Sequence, residues 1–232
     1  IRTVRGYEAK EMMVVVAARM ILKKVQKEGR QVVQAGVGFA NLAAWIAVHK
    51  LQHDFGLEAE LVAEIGLYGY MPKPGEPFIF SNRNLTSVKS MSGVEHTLGL
   101  QVGGRHNNCI AIIGSGQIDP SGNINSTLTS DGKYLLGSGG ANDIASTAAE
   151  VIVVSQQSQN RLIPELSYVT SPGVNVSTLV TDLGVFEKDD GHLVLTQYFE
   201  SSGQTLQSTF AYIRSRCSWK LKGGKNLSVA KP

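Results

Sequence analysis

The sequence predicts an α/β protein, a mostly parallel open sheet with helices on both faces. Short apolar runs alternate with segments whose apolar residues recur at helical spacing. The repeated order strand, helix, strand is the one a parallel sheet requires, because each crossover must carry the chain back to the same end. Glycine-rich blocks flank several of these runs, where α/β enzymes place their active-site loops.

Residues 8–28 put Met12, Val16 and Met20 on one stripe beside Val15, Arg19 and Leu22, and run through lysines to Gly29, a helix and its stop. Residues 31–36 read as a buried strand, a Gly-x-Gly turn follows, and 41–53 read as a helix. The second strand is 60–64. Residues 68–75, rich in Gly and Pro, are expected to be irregular, 78–80 to form a short strand, and 93–99 a short helix at most. Residues 108–114 form the cleanest central strand. Further strands are expected at 150–155, 167–170, 178–182 and 192–198, with a hairpin at Asp189, Asp190 and Gly191. From Ser201 the pattern weakens. Residues 1–200 are therefore assigned to the domain and 201–232 to a C-terminal extension, mobile and solvated from Lys220 through Gly223 and Gly224.

At 232 residues the chain is long enough to bury a proper core, and 42% hydrophobic against 18% charged is an ordinary globular balance. A formal charge of +3 is too weak to argue for nucleic acid, yet suits a small polyanionic ligand. Cys109 and Cys217 have no metal spacing and fit a reducing cytoplasm. Residues 12–22 are too short and, with Arg19, too charged to span a bilayer, and no cleavage site marks a signal peptide. Ile1 in place of an initiator methionine is expected to mean that native residues precede it.

Three constellations carry chemistry. Gly36, Val37 and Gly38 open a helix straight after a strand, as a dinucleotide-binding turn does, but Asn41 stands where the third small residue belongs; a tight turn with Asn41 as N-cap explains the segment as well. Glu64 closes an apolar strand at its carboxyl end, where open α/β sheets bind ligands, and Gly66 and Gly69 leave room for a substrate to approach. Gly137, Ser138, Gly139 and Gly140 precede a patterned helix and offer backbone N–H groups to an anion. Residues 119–122 are a turn by composition, for which a capping role alone would account for Asp119. The histidines make a zinc site unexpected, since His49 and His53 share a helix face without a third ligand.

Taken in order, Val33 to Gly38, Val62 to Gly66, Ile112 to Thr127, Gly137 to Asn142 and Tyr168 to Gly173 resemble the β subunits of family I CoA-transferases, of the glutaconate type and the NagB/RpiA-like fold. The likeness covers roughly residues 8–187. It implies Glu64 as the catalytic nucleophile, and Gly66, Gly114, Gly116, Gln117, Gly137, Ser138, Gly139, Gly140, Ala141 and Asn142 as residues that bind CoA or stabilise an oxyanion. The family's triplet has a polar middle residue where Ile65 stands here. Relatives with an altered triplet act as ring-opening hydrolases or decarboxylases of CoA esters, whereas a retained glutamate favours transfer. The resemblance further implies no bound cofactor or metal, a coenzyme A ester of a dicarboxylic or other short acid as substrate with a carboxylic acid as acceptor, and a homologous α subunit facing the active site. Neither nucleic acid nor membrane is an expected partner. An arginine selecting the acyl group can lie on that partner; Arg83 and Arg105 are the candidates on this chain. A nicotinamide-dependent oxidoreductase is the remote alternative, and it leaves the downstream glycine blocks unexplained.

Overall fold

The computed structural model describes residues 7–29, 31–71, 78–105, 107–200 and 205–231. The first helix, α1 (Ala9–Glu28), starts on a capping box in which the Glu8 N–H donates to Glu11 Oε2 at 2.9 Å. It stops where Gly29 takes the left-handed conformation (φ 65°) and donates to the Val25 carbonyl. Strand β1 (Val32–Ala35) leads into α2 (Phe39–Asp54), and β2 (Glu60–Ala63) follows. Two short strands, β3 (Leu67–Tyr68) and β4 (Ser90–Met91), flank a 3₁₀ turn at Asn82–Thr86. The short α3 (Val94–His96) runs on into a π-helix, Thr97–Val102.

Beyond β5 (Cys109–Ile113) a small ribbon pairs β6 (Gln117–Ile118) with β7 (Ile124–Asn125), and α4 (Ala141–Thr147) leads to β8 (Glu150–Val154). The chain then adds β9 (Val176–Val180), β10 (Gly184–Asp189), β11 (His192–Tyr198), α5 (Leu206–Ser215) and β12 (Gly223–Val229). Among the described residues the main sheet has the order β12-β11-β10-β9-β8-β5-β1-β2-β3-β4. Its centre, β9-β8-β5-β1-β2, is parallel throughout, and antiparallel strands extend it on both sides.

Alternation along β5 shows how two faces are covered. Ile110 and Ile112 pack under α1 and α2, while Cys109, Ala111 and Ile113 face α4 and the π-helix side. The inner face of α2 is alanine-rich, with Ala40, Ala43, Ala44 and Ala47 fully buried, so the helix lies close on the sheet and against α1. One charge is taken into this layer. Glu150 at the start of β8 accepts from Lys24 Nζ of α1 and from Ser177 Oγ of β9, with its side chain 9% exposed. Glu150→Ala would strand the Lys24 ammonium at 17% exposure. The expected cost is about 2–4 kcal/mol, read as a lower urea midpoint at unchanged slope.

Several expectations are corrected. Residues 78–80 form a turn, and 167–170 run as an irregular segment with a single bridge at Ser171. Residues 72–75 lie outside the described residues, and Tyr68 belongs to β3. Asn41 is not an N-cap: Gly38 holds that position, and Asn41 lies buried inside α2, where its Oδ1 accepts from Tyr70 Oη at 3.0 Å. Residues 205–231 are structured. The Thr205 side chain caps α5, and β12 pairs in parallel with β11, so the glycines expected to loosen the tail begin an edge strand.

Candidate active site

The carboxyl ends of β2, β1, β5 and β8 open into one cleft of about 1760 Å³. Glu64 enters it directly after β2. Its direction is set by a tight turn in which Gly66 N–H donates to the Ala63 carbonyl at 3.0 Å. Gly66 sits at φ 99°, and a Cβ there would lie 1.8 Å from the Ser92 carbonyl oxygen, so no other residue fits between this turn and the segment after β4.

Opposite stands the loop before α4, where Gly137 (φ 93°) and Gly139 (φ 50°) take conformations that side chains disfavour. It delivers the Gly140 N–H to Glu64 Oε2 at 3.1 Å. A Cβ on Gly140 would lie 2.3 Å from that oxygen, and one on Gly139 3.1 Å from Oε1, so the two glycines form a cradle shaped to the carboxylate. Burial pushes the Glu64 carboxyl above the ordinary carboxylate range; the Gly140 N–H opposes this, and the Asp143 carboxylate in the first turn of α4 adds to it. The result is a half-buried carboxylate, poorly solvated, with one donor fixed at one oxygen.

Gly114, Gly116, Gln117, Gly137, Ser138, Gly139 and Ala141 line the cleft with Glu64, and Gly140 touches the carboxylate itself. Gly66 packs behind Glu64 and does not line the cleft. Asn142 is turned away, donating to the Thr170 carbonyl at 2.5 Å. Gln117 accepts from Asn125 and donates to the Asn160 carbonyl, which joins the β6–β7 ribbon to the loop after β8. Asp119 binds the backbone and side chain of Asn123 and thereby closes its own turn.

The turn after β1 also borders the cleft, but its first glycine is explained by packing: a Cβ on Gly36 would lie 2.7 Å from the Ile112 carbonyl oxygen of β5. His49 and His53 contact each other, and no three metal-ligating side chains group among the described residues. Cys217 is buried, its thiol pushed up to about 11 by that burial. Neither Arg83 nor Arg105 lines the cleft. Arg161 does, together with Phe39 and Tyr134. The strand–turn–helix at 36–39 hinted at Phe39; nothing local singles out Arg161, in a segment between β8 and β9 without periodicity.

No protein-family model matches the chain. Its fold matches the crystal structure of glutaconate coenzyme A-transferase from Acidaminococcus fermentans with a TM-score of 0.79, over 98% of this chain and 90% of that one, at 24% identity. The decarboxylase AibA/AibB shares the fold at a TM-score of 0.74 and 20% identity, over 97% and 90%. In sequence the chain is 29% identical over 222 residues to the β subunit of glutaconate CoA-transferase from Acidaminococcus fermentans, covering 85% of this chain and 79% of that protein. It is 30% identical over 208 residues to the β subunit of 3-oxoadipate CoA-transferase from Pseudomonas knackmussii, covering 80% and 75%. The chain belongs to family I of the CoA-transferases, in which it is of the β type. Glu64 follows β2, whereas the Gly137–Ala141 loop belongs to the connection from β5 to β8, so the two meet only across the assembled parallel core. No helix among the described residues is long and apolar enough to cross a membrane.

Proposed function

We propose that this chain carries the nucleophile of a two-subunit CoA-transferase, and that Glu64 is that nucleophile. The observation behind the proposal is the Glu64 carboxylate in the cleft, held at Oε2 by the Gly140 N–H. The ionised carboxylate attacks the thioester carbonyl carbon of an acyl-CoA; the tetrahedral adduct collapses, the C–S bond breaks, and its electron pair leaves on the CoA thiolate. The thiolate then attacks the glutamyl carbonyl of the resulting anhydride and expels the acyl group as its carboxylate. A second carboxylic acid reverses the two steps and departs as its CoA ester. The Gly140 N–H lies where it can follow charge from the resting carboxylate to an oxyanion on the same atom. Desolvation serves the attack, because a carboxylate stripped of water is a stronger nucleophile, at the expense of needing a higher pH to ionise.

The partner in this reading is a homologous α subunit, in keeping with both relatives being the β halves of two-subunit enzymes. The substrates are the CoA ester of a short or dicarboxylic acid and an acceptor acid; the chemistry draws on coenzyme A as substrate and on no other cofactor. Since a decarboxylase shares the fold and Ile65 replaces the polar neighbour of Glu64, hydrolysis or decarboxylation is the competing outcome. The test is to incubate the αβ complex with an acyl-CoA and no acceptor acid, reduce with borohydride, and map peptides. A reduced adduct on Glu64 with loss of activity is expected. Steady release of free acid or carbon dioxide with no adduct would refute transfer.

A further inference from the structure

We propose that Arg161 is the cleft's anion-binding residue, and that it takes a negatively charged oxygen group of the substrate remote from the thioester. This rests on the reading of Glu64 given above. Among the described residues, four charged ones line the cleft: Glu64, Asp131, Lys133 and Arg161. Asp131 and Lys133 belong to one exposed turn, closed by hydrogen bonds between Thr129 and Lys133 and with the Thr129 hydroxyl donating to Asp131. Arg161 is exposed as well, but it is anchored at both backbone and head. Its carbonyl accepts from Ile118 N at 2.7 Å, and its Nη1 donates to the Ser115 carbonyl at 2.9 Å. Its backbone neighbour Asn160 is tied to Gln117.

That anchor uses one of the five N–H donors of a guanidinium. Among the described residues no carboxylate pairs with Arg161. A positioned cation in the cleft with no carboxylate paired to it is suited to bidentate recognition of a carboxylate or phosphate, since its anchored head has less side-chain entropy to lose. The reach fits too. Ser115 follows β5, two strands from β2, and Arg161 follows β8, three strands away, so at ~4.8 Å per strand the guanidinium lies about 10–14 Å from Glu64. A dicarboxylic acyl group of about six carbons, spanning about 6 Å plus a contact at each end, reaches that far, and so does a bent pantetheine arm leading to the CoA phosphates.

Four thioesters separate the two sources: glutaryl-CoA, butyryl-CoA, glutaryl-pantetheine and butyryl-pantetheine, the last lacking both charges. In the αβ complex, Arg161→Gln is expected to lower kcat/KM roughly 10- to 100-fold for thioesters that keep the recognised anion, and to leave butyryl-pantetheine unchanged. Arg161→Lys should restore much of the loss. A penalty that follows the glutaryl group assigns the distal carboxylate; one that follows CoA assigns the phosphates. An equal penalty on all four, butyryl-pantetheine included, or none on any, overturns the proposal. Borohydride trapping with butyryl-pantetheine in the same samples reports on Glu64 separately. If wild type traps nothing, calorimetric titration of glutarate and of CoA into wild type and Arg161→Gln still decides the anion site: weakening of either by the variant supports it, and identical affinities refute it.

Discussion

Glu64→Gln is expected to lower the turnover of the αβ complex by about 10³-fold or more, because a neutral amide can neither attack a thioester nor leave as a carboxylate. The same substitution is expected to leave the fold intact or make it slightly more stable at neutral pH. Burial raises the Glu64 carboxyl above its unfolded value. A raised carboxyl stabilises the folded state fully below the unfolded value of about 4.3, and that contribution is lost as pH rises through the folded value. At neutral pH wild type therefore bears the cost of an ionised, half-buried carboxylate, and glutamine does not. The melting-temperature difference between variant and wild type should be largest near pH 7 and close below about pH 4. The pH–rate profile of wild type should fall on its acid side at a higher pH than an exposed glutamate would give, since the ionised form attacks. A Gln variant that loses activity together with stability would instead make Glu64 a structural residue.

The parallel core was legible because its strands are continuous apolar runs buried on both faces. Residues 108–114 and 150–155 correspond to β5 and β8 nearly end to end, and 8–28 to α1 with its glycine stop. What escaped were elements whose order comes from distant partners. Gly223 and Gly224 have no side chains to signal a strand, yet the Leu195 N–H donates to the Lys222 carbonyl and β12 continues along β11. The aromatic pair Phe78 and Phe80 suggested a strand, but the rings meet edge to face at 5.3 Å in a turn. Asn41 has the chemistry of a cap and the surroundings of a core residue, where the Tyr70 hydroxyl, 29 positions away, donates to it.

The site divides along the same line. Glu64 was visible as a charge at the end of a buried strand, and the glycine loop as backbone without side chains. Their meeting through Gly140, 76 positions later, is a property of the sheet order, and so is the place of Arg161. Gly66 illustrates the opposite error. Its glycine is required by the Ser92 carbonyl behind it rather than by a substrate in front.

Gly140→Ala isolates the position of the carboxylate from its chemistry. Gly140 has φ −80° and ψ 2°, which alanine adopts without strain, so the backbone has no reason to move and folding should gain a few tenths of a kcal/mol or change little. The new methyl would stand 2.3 Å from Glu64 Oε2 and 3.0 Å from Cδ, and 3.4 Å from Leu98 Cδ1, so the flexible carboxylate is the group that yields. A displacement of about 1 Å at a reacting atom costs on the order of 10²-fold in rate. Turnover and the rate of borohydride-trappable adduct should fall together by that factor, with KM for the acyl-CoA changed far less. Gly93→Ala, where a Cβ meets nothing within 4 Å and φ is also −80°, should leave both rates unchanged. Should Gly140→Ala lower stability while adduct forms at the wild-type rate in the protein that remains folded, the Gly140 cradle would be a packing contact and the oxyanion assignment to its N–H would fall with it.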